Sequence, residues 1–133
     1  MLIIDASCLY DLLVGTHRSD GIRARLQMDD NHAAPHVIDV EVFSVIRRDF
    51  LRGDIDRTAA TQAVEDLRDW RGTRYGHTAL LERAWELRAS VRGWDAFYVA
   101  LAESFQAPLL TLDGRLGRAP GVRCSIEVIP ELS

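Results

Sequence analysis

The sequence holds 133 residues, 47% of them apolar, with a formal net charge of −4. That length suits one domain, predicted to span 1–133, with a core of its own; no apolar run approaches the roughly 18 residues of a spanning helix, so no membrane association is expected. All 16 basic residues are Arg, which excludes a P-loop with its phosphate-binding Lys and excludes Schiff-base chemistry.

Leu2 to Asp5 reads as a short buried strand, followed at once by a helix from Ala6 to Val14 that Gly15 ends. Arg18 to Asp30 is polar and amphipathic, a second helix with Ile22, Leu26 and Met28 inward. Asn31 to Pro35 reads as a loop and His36 to Ile38 as a second strand. Asp39 then resembles an N-cap for a helix from Val40 to Arg52, which Gly53-Asp54 breaks. Ile55 to Trp70 is a further helix, and Arg71 to Tyr75 a weak third strand. A helix is expected from His77 to Val91, with Arg92-Gly93 as its end. Asp95 to Ser104 is apolar nearly all round and therefore central. Leu109 to Leu112 is a strand, Leu116 begins a short helical piece, and Ser125 to Ile129 is the last strand. Short strands rich in Leu, Ile and Val, separated by helices, predict an α/β/α sandwich around a short parallel sheet.

Four acidic residues flank these core elements. Asp5 closes the first strand, Asp113 closes the fourth, and Glu41 and Asp95 fall in predicted first turns of helices. Carboxylates are almost never buried unless paired or bound to metal. In an open parallel sheet the strand ends and the helix starts that follow them share one edge, where ligands bind. All four side chains can therefore converge there. Crowded carboxylates repel one another and take up protons unless a cation balances them. Mg²⁺, or Mn²⁺ with similar ligands, is the hard ion that such oxygens hold. One or two ions of this kind can deprotonate a water for in-line attack on a phosphodiester. Plainer readings exist for each residue: Asp95 as a cap, Asp113 as a turn residue, and Glu41 as a partner of Arg47 or Arg48. Asp39 reads as a cap and Asp11 as a solvated helix position.

The stretches Asp5-Ala6-Ser7, Arg83-Ala84-Trp85-Glu86-Leu87-Arg88, Trp94-Asp95-Ala96-Phe97-Tyr98-Val99-Ala100-Leu101-Ala102-Glu103 and Pro108-Leu109-Leu110-Thr111-Leu112-Asp113, with Glu41 between them, resemble the PIN-domain ribonucleases. More closely they resemble the VapC-type toxins of type II toxin–antitoxin systems, over essentially the whole chain. The resemblance implies a PIN-like fold, a Mg²⁺- or Mn²⁺-dependent endoribonuclease, a homodimeric toxin and an inhibiting VapB-type antitoxin. It places Asp5, Glu41, Asp95 and Asp113 as catalytic metal-site residues and Ser7 as the polar support of the first Asp; of the four, Asp5 and Asp95 are expected to hold the metal most directly. Two positions depart from the pattern. Trp94 stands where a Tyr or small residue is usual, and Gly114 where a basic residue is common.

Arg115 and Arg118 lie just beyond Asp113 and are the leading candidates for RNA phosphate contacts. His17, His32, His36 and His77 lack metal-ligand spacing, and Cys8 and Cys124 form no Cys-x-x-Cys pair, so both thiols read as core residues. Trp70, Trp85 and Trp94 read as core or interface anchors, with base stacking open to Trp94. The polar helices around Arg18 to Asp30 and Arg57 to Asp69 offer a docking place for an antitoxin segment or a dimer partner. The N-terminal apolar run is too short for a signal peptide and has no basic region before it, so a cytoplasmic location is expected. Two rival functions stay open. An Asp-nucleophile phosphatase would want a second Asp where Ser7 stands. A non-catalytic RNA- or partner-binding module would keep the fold without the metal chemistry.

Overall fold

The computed structural model describes residues 1–16 and 18–130. His17 and the last three positions of the predicted 1–133 domain lie outside the described residues. The chain runs β1 (Leu2–Ile4), α1 (Ala6–Val14), α2 (Ser19–Leu26), β2 (His32–Pro35), α3 (Val37–Leu51), α4 (Arg57–Arg68), β3 (Thr73–Tyr75), α5 (Leu81–Glu86), α6 (Asp95–Phe105), β4 (Leu109–Thr111) and β5 (Ile126–Val128). Single 3₁₀ turns precede α5 and follow β4.

The strands form one parallel sheet in the order β3-β2-β1-β4-β5. The chain winds outward from β1 through β2 to β3, then returns to lay β4 on the other side of β1. The reversal of winding therefore falls between β1 and β4, where side chains leaving the two strand ends meet over an open crevice. Leu2, Ile3, Ile4, Leu109 and Leu110 are fully buried there. Burial on both faces is what their unbroken apolar character requires. Helices α1 to α4 pack on one another as one layer, and α5 and α6 form the other. The predicted three-layer α/β/α architecture is the observed one. Among the described residues no helix is long and apolar enough to cross a membrane.

The second strand lies earlier than predicted. It spans His32–Pro35, inside the expected loop, and the expected strand at His36 to Ile38 is instead the start of α3. Ala33 and Ala34 are buried between β1 and β3, a place that suits small residues although Ala favours strands little on its own. The β-branched pair Val37-Ile38 is overridden by packing: Ile38, Val42 and Ile46 form the buried stripe of a helix. Two consequences reach the site. Glu41 sits in the second turn of α3, not the first. Asp39 is not the cap; its carboxylate receives Arg74 bidentately at 2.9–3.1 Å, while Arg74 also donates to the carbonyls of Leu67 and Trp70 at the end of α4.

Other departures are local. Met28 is exposed rather than inward, because α2 stops at Leu26. The predicted helix from His77 to Val91 is regular only over Leu81–Glu86. Asp11 is buried, not solvated. Its carboxylate accepts from the hydroxyls of Thr16 and Ser19, tying the end of α1 to the start of α2.

Candidate functional site

Asp5 is placed by the turn from β1 into α1. Its backbone is extended, with φ −95° and ψ 174°, and its side chain caps α1 by accepting from the Cys8 amide at 3.0 Å. The Ser7 hydroxyl donates to the same oxygen, Oδ1, at 2.6 Å. The Thr111 hydroxyl donates to Oδ2 from β4. These bonds fill three of the roughly four acceptor positions of a carboxylate and leave one on Oδ2. Both hydroxyls are themselves held from beyond β4: Ser7 Oγ accepts from the Leu112 amide at 3.2 Å, and Thr111 Oγ1 from the Asp113 amide at 3.0 Å. Asp5 is thus a fixed group at the crevice between β1 and β4.

Glu41 reaches the crevice from α3 and Asp95 from the first residue of α6. The Tyr98 hydroxyl, from one turn along α6, donates to Glu41 Oε1 at 2.8 Å. Asp113 follows β4. Its Oδ1 accepts from the Arg115 amide at 2.9 Å, closing an Asx-type turn, and Arg115 Nε and a terminal nitrogen reach the two oxygens at 3.2 Å. All four carboxylates line one cavity of about 560 Å³, together with Ser7, Tyr10, Ser44, Arg48 and the exposed indole of Trp94.

The carboxylates differ in charge balance. Burial holds Asp5 above the usual carboxylate range, against the pull of its Ser7, Thr111 and Cys8 hydrogen bonds. Burial also lifts Glu41 to about 7; the Tyr98 hydroxyl opposes this, and the charges on Asp95 and Asp5 add to it. Asp95 is raised to about 6 by burial, then by Asp5 and Asp113, with Arg92 and Arg115 opposing. Asp113 alone is lowered, chiefly by its hydrogen bond from Arg115. Among the described residues no guanidinium forms an ion pair with Asp5, Glu41 or Asp95, whereas Asp113 has Arg115. The plainer reading of Asp113 as a turn residue therefore describes its geometry well. Among the described residues the pairing of Glu41 with Arg47 or Arg48 does not occur, and Asp95 is not the cap of α6: Trp94 holds that position and no side-chain cap bond forms.

The site has the chemistry of a hard-cation site: oxygen donors, excess negative charge and raised carboxylate pKa values. Among the described residues no three His, Cys, Asp or Glu side chains are already gathered as a ready ligand set. Tyr98 and Thr111 carry site geometry that the sequence reading passed over. Both had a legible signal. Tyr98 stands three residues after Asp95 on the same helix face, and Thr111 ends β4 two residues before Asp113.

The PIN domain family model matches residues 2–122. The chain belongs to the PIN-domain family. Ribonuclease VapC1 of Mycobacterium tuberculosis is 38% identical over 96% of this chain and 96% of its own length. Ribonuclease VapC3 of the same organism is 41% identical, covering 89% of this chain and 86% of its own. These similarities place the chain in the VapC branch of the PIN domain. A solved toxin–antitoxin complex from Klebsiella pneumoniae superposes with a TM-score of 0.68 at 17% identity, covering 99% of this chain and 100% of that one. At that identity it supports the fold of this PIN domain alone.

Proposed function

We propose that this PIN domain is a Mg²⁺- or Mn²⁺-dependent endoribonuclease and the toxic member of a toxin–antitoxin pair. The observation that carries the reading is the set of three carboxylates, Asp5, Glu41 and Asp95, raised in pKa around one cavity at the sheet's reversal point and, among the described residues, without an Arg ion pair. The names of the VapC relatives supply the RNA. A bound divalent ion would supply charge neutralisation and a lowered pKa for a coordinated water. Asp95 and the open position on Asp5 Oδ2 would hold it most directly. Glu41, oriented by Tyr98, would orient water beside it. Asp113, already balanced by Arg115, would shape the cavity from the β4 side. Ser7 and Thr111 keep Asp5 in its rotamer.

Ser7 also answers the phosphatase rival: its hydroxyl occupies the position two beyond Asp5 and is spent on Asp5 itself.

An antitoxin partner is inferred because toxin–antitoxin complexes are among the solved structures that share this fold. The groove between α3 and α4 suits it, lined by Phe43, Ile46, Phe50 and Val64 and flanked by Arg47 and Arg57. Apolar lining with basic margins fits an acidic amphipathic helix. A homodimer would cover the α5–α6 face, where Trp85 is 67% and Leu81 51% exposed.

The test is RNA cleavage by the chain purified free of antitoxin. Cleavage is expected with Mg²⁺ or Mn²⁺ and lost with chelator, with Asp5→Asn and with Asp95→Asn. Equal cleavage by either variant would refute the assignment.

A further inference from the structure

The cavity does not end at the carboxylates. Glu41, Ser44, Val45 and Arg48 all line it, and their spacing of three, four and seven residues puts them on one face of α3. At 1.5 Å per residue Arg48 stands about 10 Å along the axis from Glu41. Ser7, Tyr10 and Asp11 supply the facing wall from α1, the Asp11 carboxylate being taken up by the Thr16 and Ser19 hydroxyls. The groove therefore runs from the carboxylates at the strand tips to Arg48, two helical turns away.

Arg48 is a braced cation rather than a loose one. Its Nε donates to Asp49 Oδ1 at 3.1 Å, and the Tyr10 hydroxyl donates to the other oxygen of Asp49. Asp49 is kept below the usual carboxylate range, first by Tyr10 and also by Arg48, so the bracing carboxylate stays charged. Among the described residues the terminal nitrogens of Arg48 have no hydrogen bond, and its side chain is 52% exposed. A guanidinium anchored through Nε still presents donors with the fork geometry that phosphate accepts. Neither Arg115 nor Arg118, favoured by sequence proximity to Asp113, lines the cavity, and a terminal nitrogen of Arg115 is already taken by Asp113.

We propose that the substrate strand leaves the carboxylates along the groove between α1 and α3, and that Arg48 binds a phosphate flanking the scissile one. This rests on the ribonuclease reading and adds the direction of the RNA path and a binding residue to it.

The experiment compares wild type, Arg48→Gln, Arg48→Lys and, as a control on the far surface, Arg68→Gln. Initial rates are measured on a labelled, mixed-sequence single-stranded RNA at saturating Mg²⁺ over a range of salt. Arg48→Gln is expected to raise KM about tenfold while leaving kcat within about twofold. The slope of log kcat/KM against log salt should become shallower by about 0.7, the loss of one phosphate contact on a single strand. Arg48→Lys should keep the wild-type salt slope and recover only part of KM, and Arg68→Gln should match wild type. Mn²⁺ affinity, read by calorimetry, should be the same in all four. A wild-type KM and salt slope in Arg48→Gln would overturn the path while leaving the ribonuclease reading intact. Absence of cleavage by the wild-type chain would remove both.

Discussion

Replacing Glu41 with Gln should make the metal-free protein more stable at alkaline pH. Glu41 is drawn from its ordinary 4.5 to about 7 by burial and by the charges of Asp95 and Asp5, so its ionised form opposes folding. A rise of that size corresponds to about 3 kcal/mol if taken in full. The carboxylate is only partly buried, and solvent screening reduces this to about 1–2 kcal/mol. Gln removes the charge and keeps a carbonyl to accept from Tyr98. The sign follows from proton linkage. The folded chain binds a proton here more tightly than the unfolded chain, so stability is fully present below the unfolded pKa and lost as pH rises through about 7. The advantage of Glu41→Gln should therefore be largest near about pH 8 and shrink steadily toward about pH 5. Urea and thermal unfolding in chelator at the two pH values provide the assay, with a gain of roughly 4–8 °C expected at the alkaline one. Added Mn²⁺ should raise the wild type more than the variant. A variant no more stable than wild type at alkaline pH, or one whose gain ignores pH, would refute the electrostatic account.

Tyr98→Phe removes the hydroxyl that donates to Glu41; Mn²⁺ affinity should fall about tenfold in the wild-type background and hardly at all in Glu41→Gln, a coupling that calorimetry reads directly. Thr111→Val deletes a buried donor to Asp5 and should cost about 1.5–3 kcal/mol at alkaline pH by urea unfolding; Thr111→Ser should restore most of it. Trp85→Glu puts a charge on the exposed α5 face and should leave the chain monomeric in analytical ultracentrifugation, whereas a dimer of unchanged strength would place the interface elsewhere.

The sheet was legible because β1 and β4 are buried on both faces and read as unbroken apolar runs, and because helices separate them. The second strand was not, since His32–Pro35 contains two alanines and ends on proline; only its place between β1 and β3 makes it a strand. The error moved Glu41 by a turn along its helix without moving it from the cavity. The four carboxylates were visible as charges set against apolar runs. What the sequence could not show was how three of them are compensated: Asp113 by its neighbour Arg115, Asp5 by hydroxyls that lie 2 and 106 positions away, Glu41 by a tyrosine 57 positions on. Nearness in sequence also favoured Arg115 and Arg118 over Arg48, which only the folded α1–α3 groove brings into line with the carboxylates.

The central claim is that the negative charge gathered at this crevice is balanced by a hard divalent ion. Calorimetric titration of Mn²⁺ into the antitoxin-free chain tests it most directly. The account predicts a saturable site above about pH 7, weakening as the pH falls through the raised values of Glu41 and Asp95, and lost in Asp5→Asn and Asp95→Asn. No saturable binding by the wild type, or undiminished binding by those two variants, would contradict it.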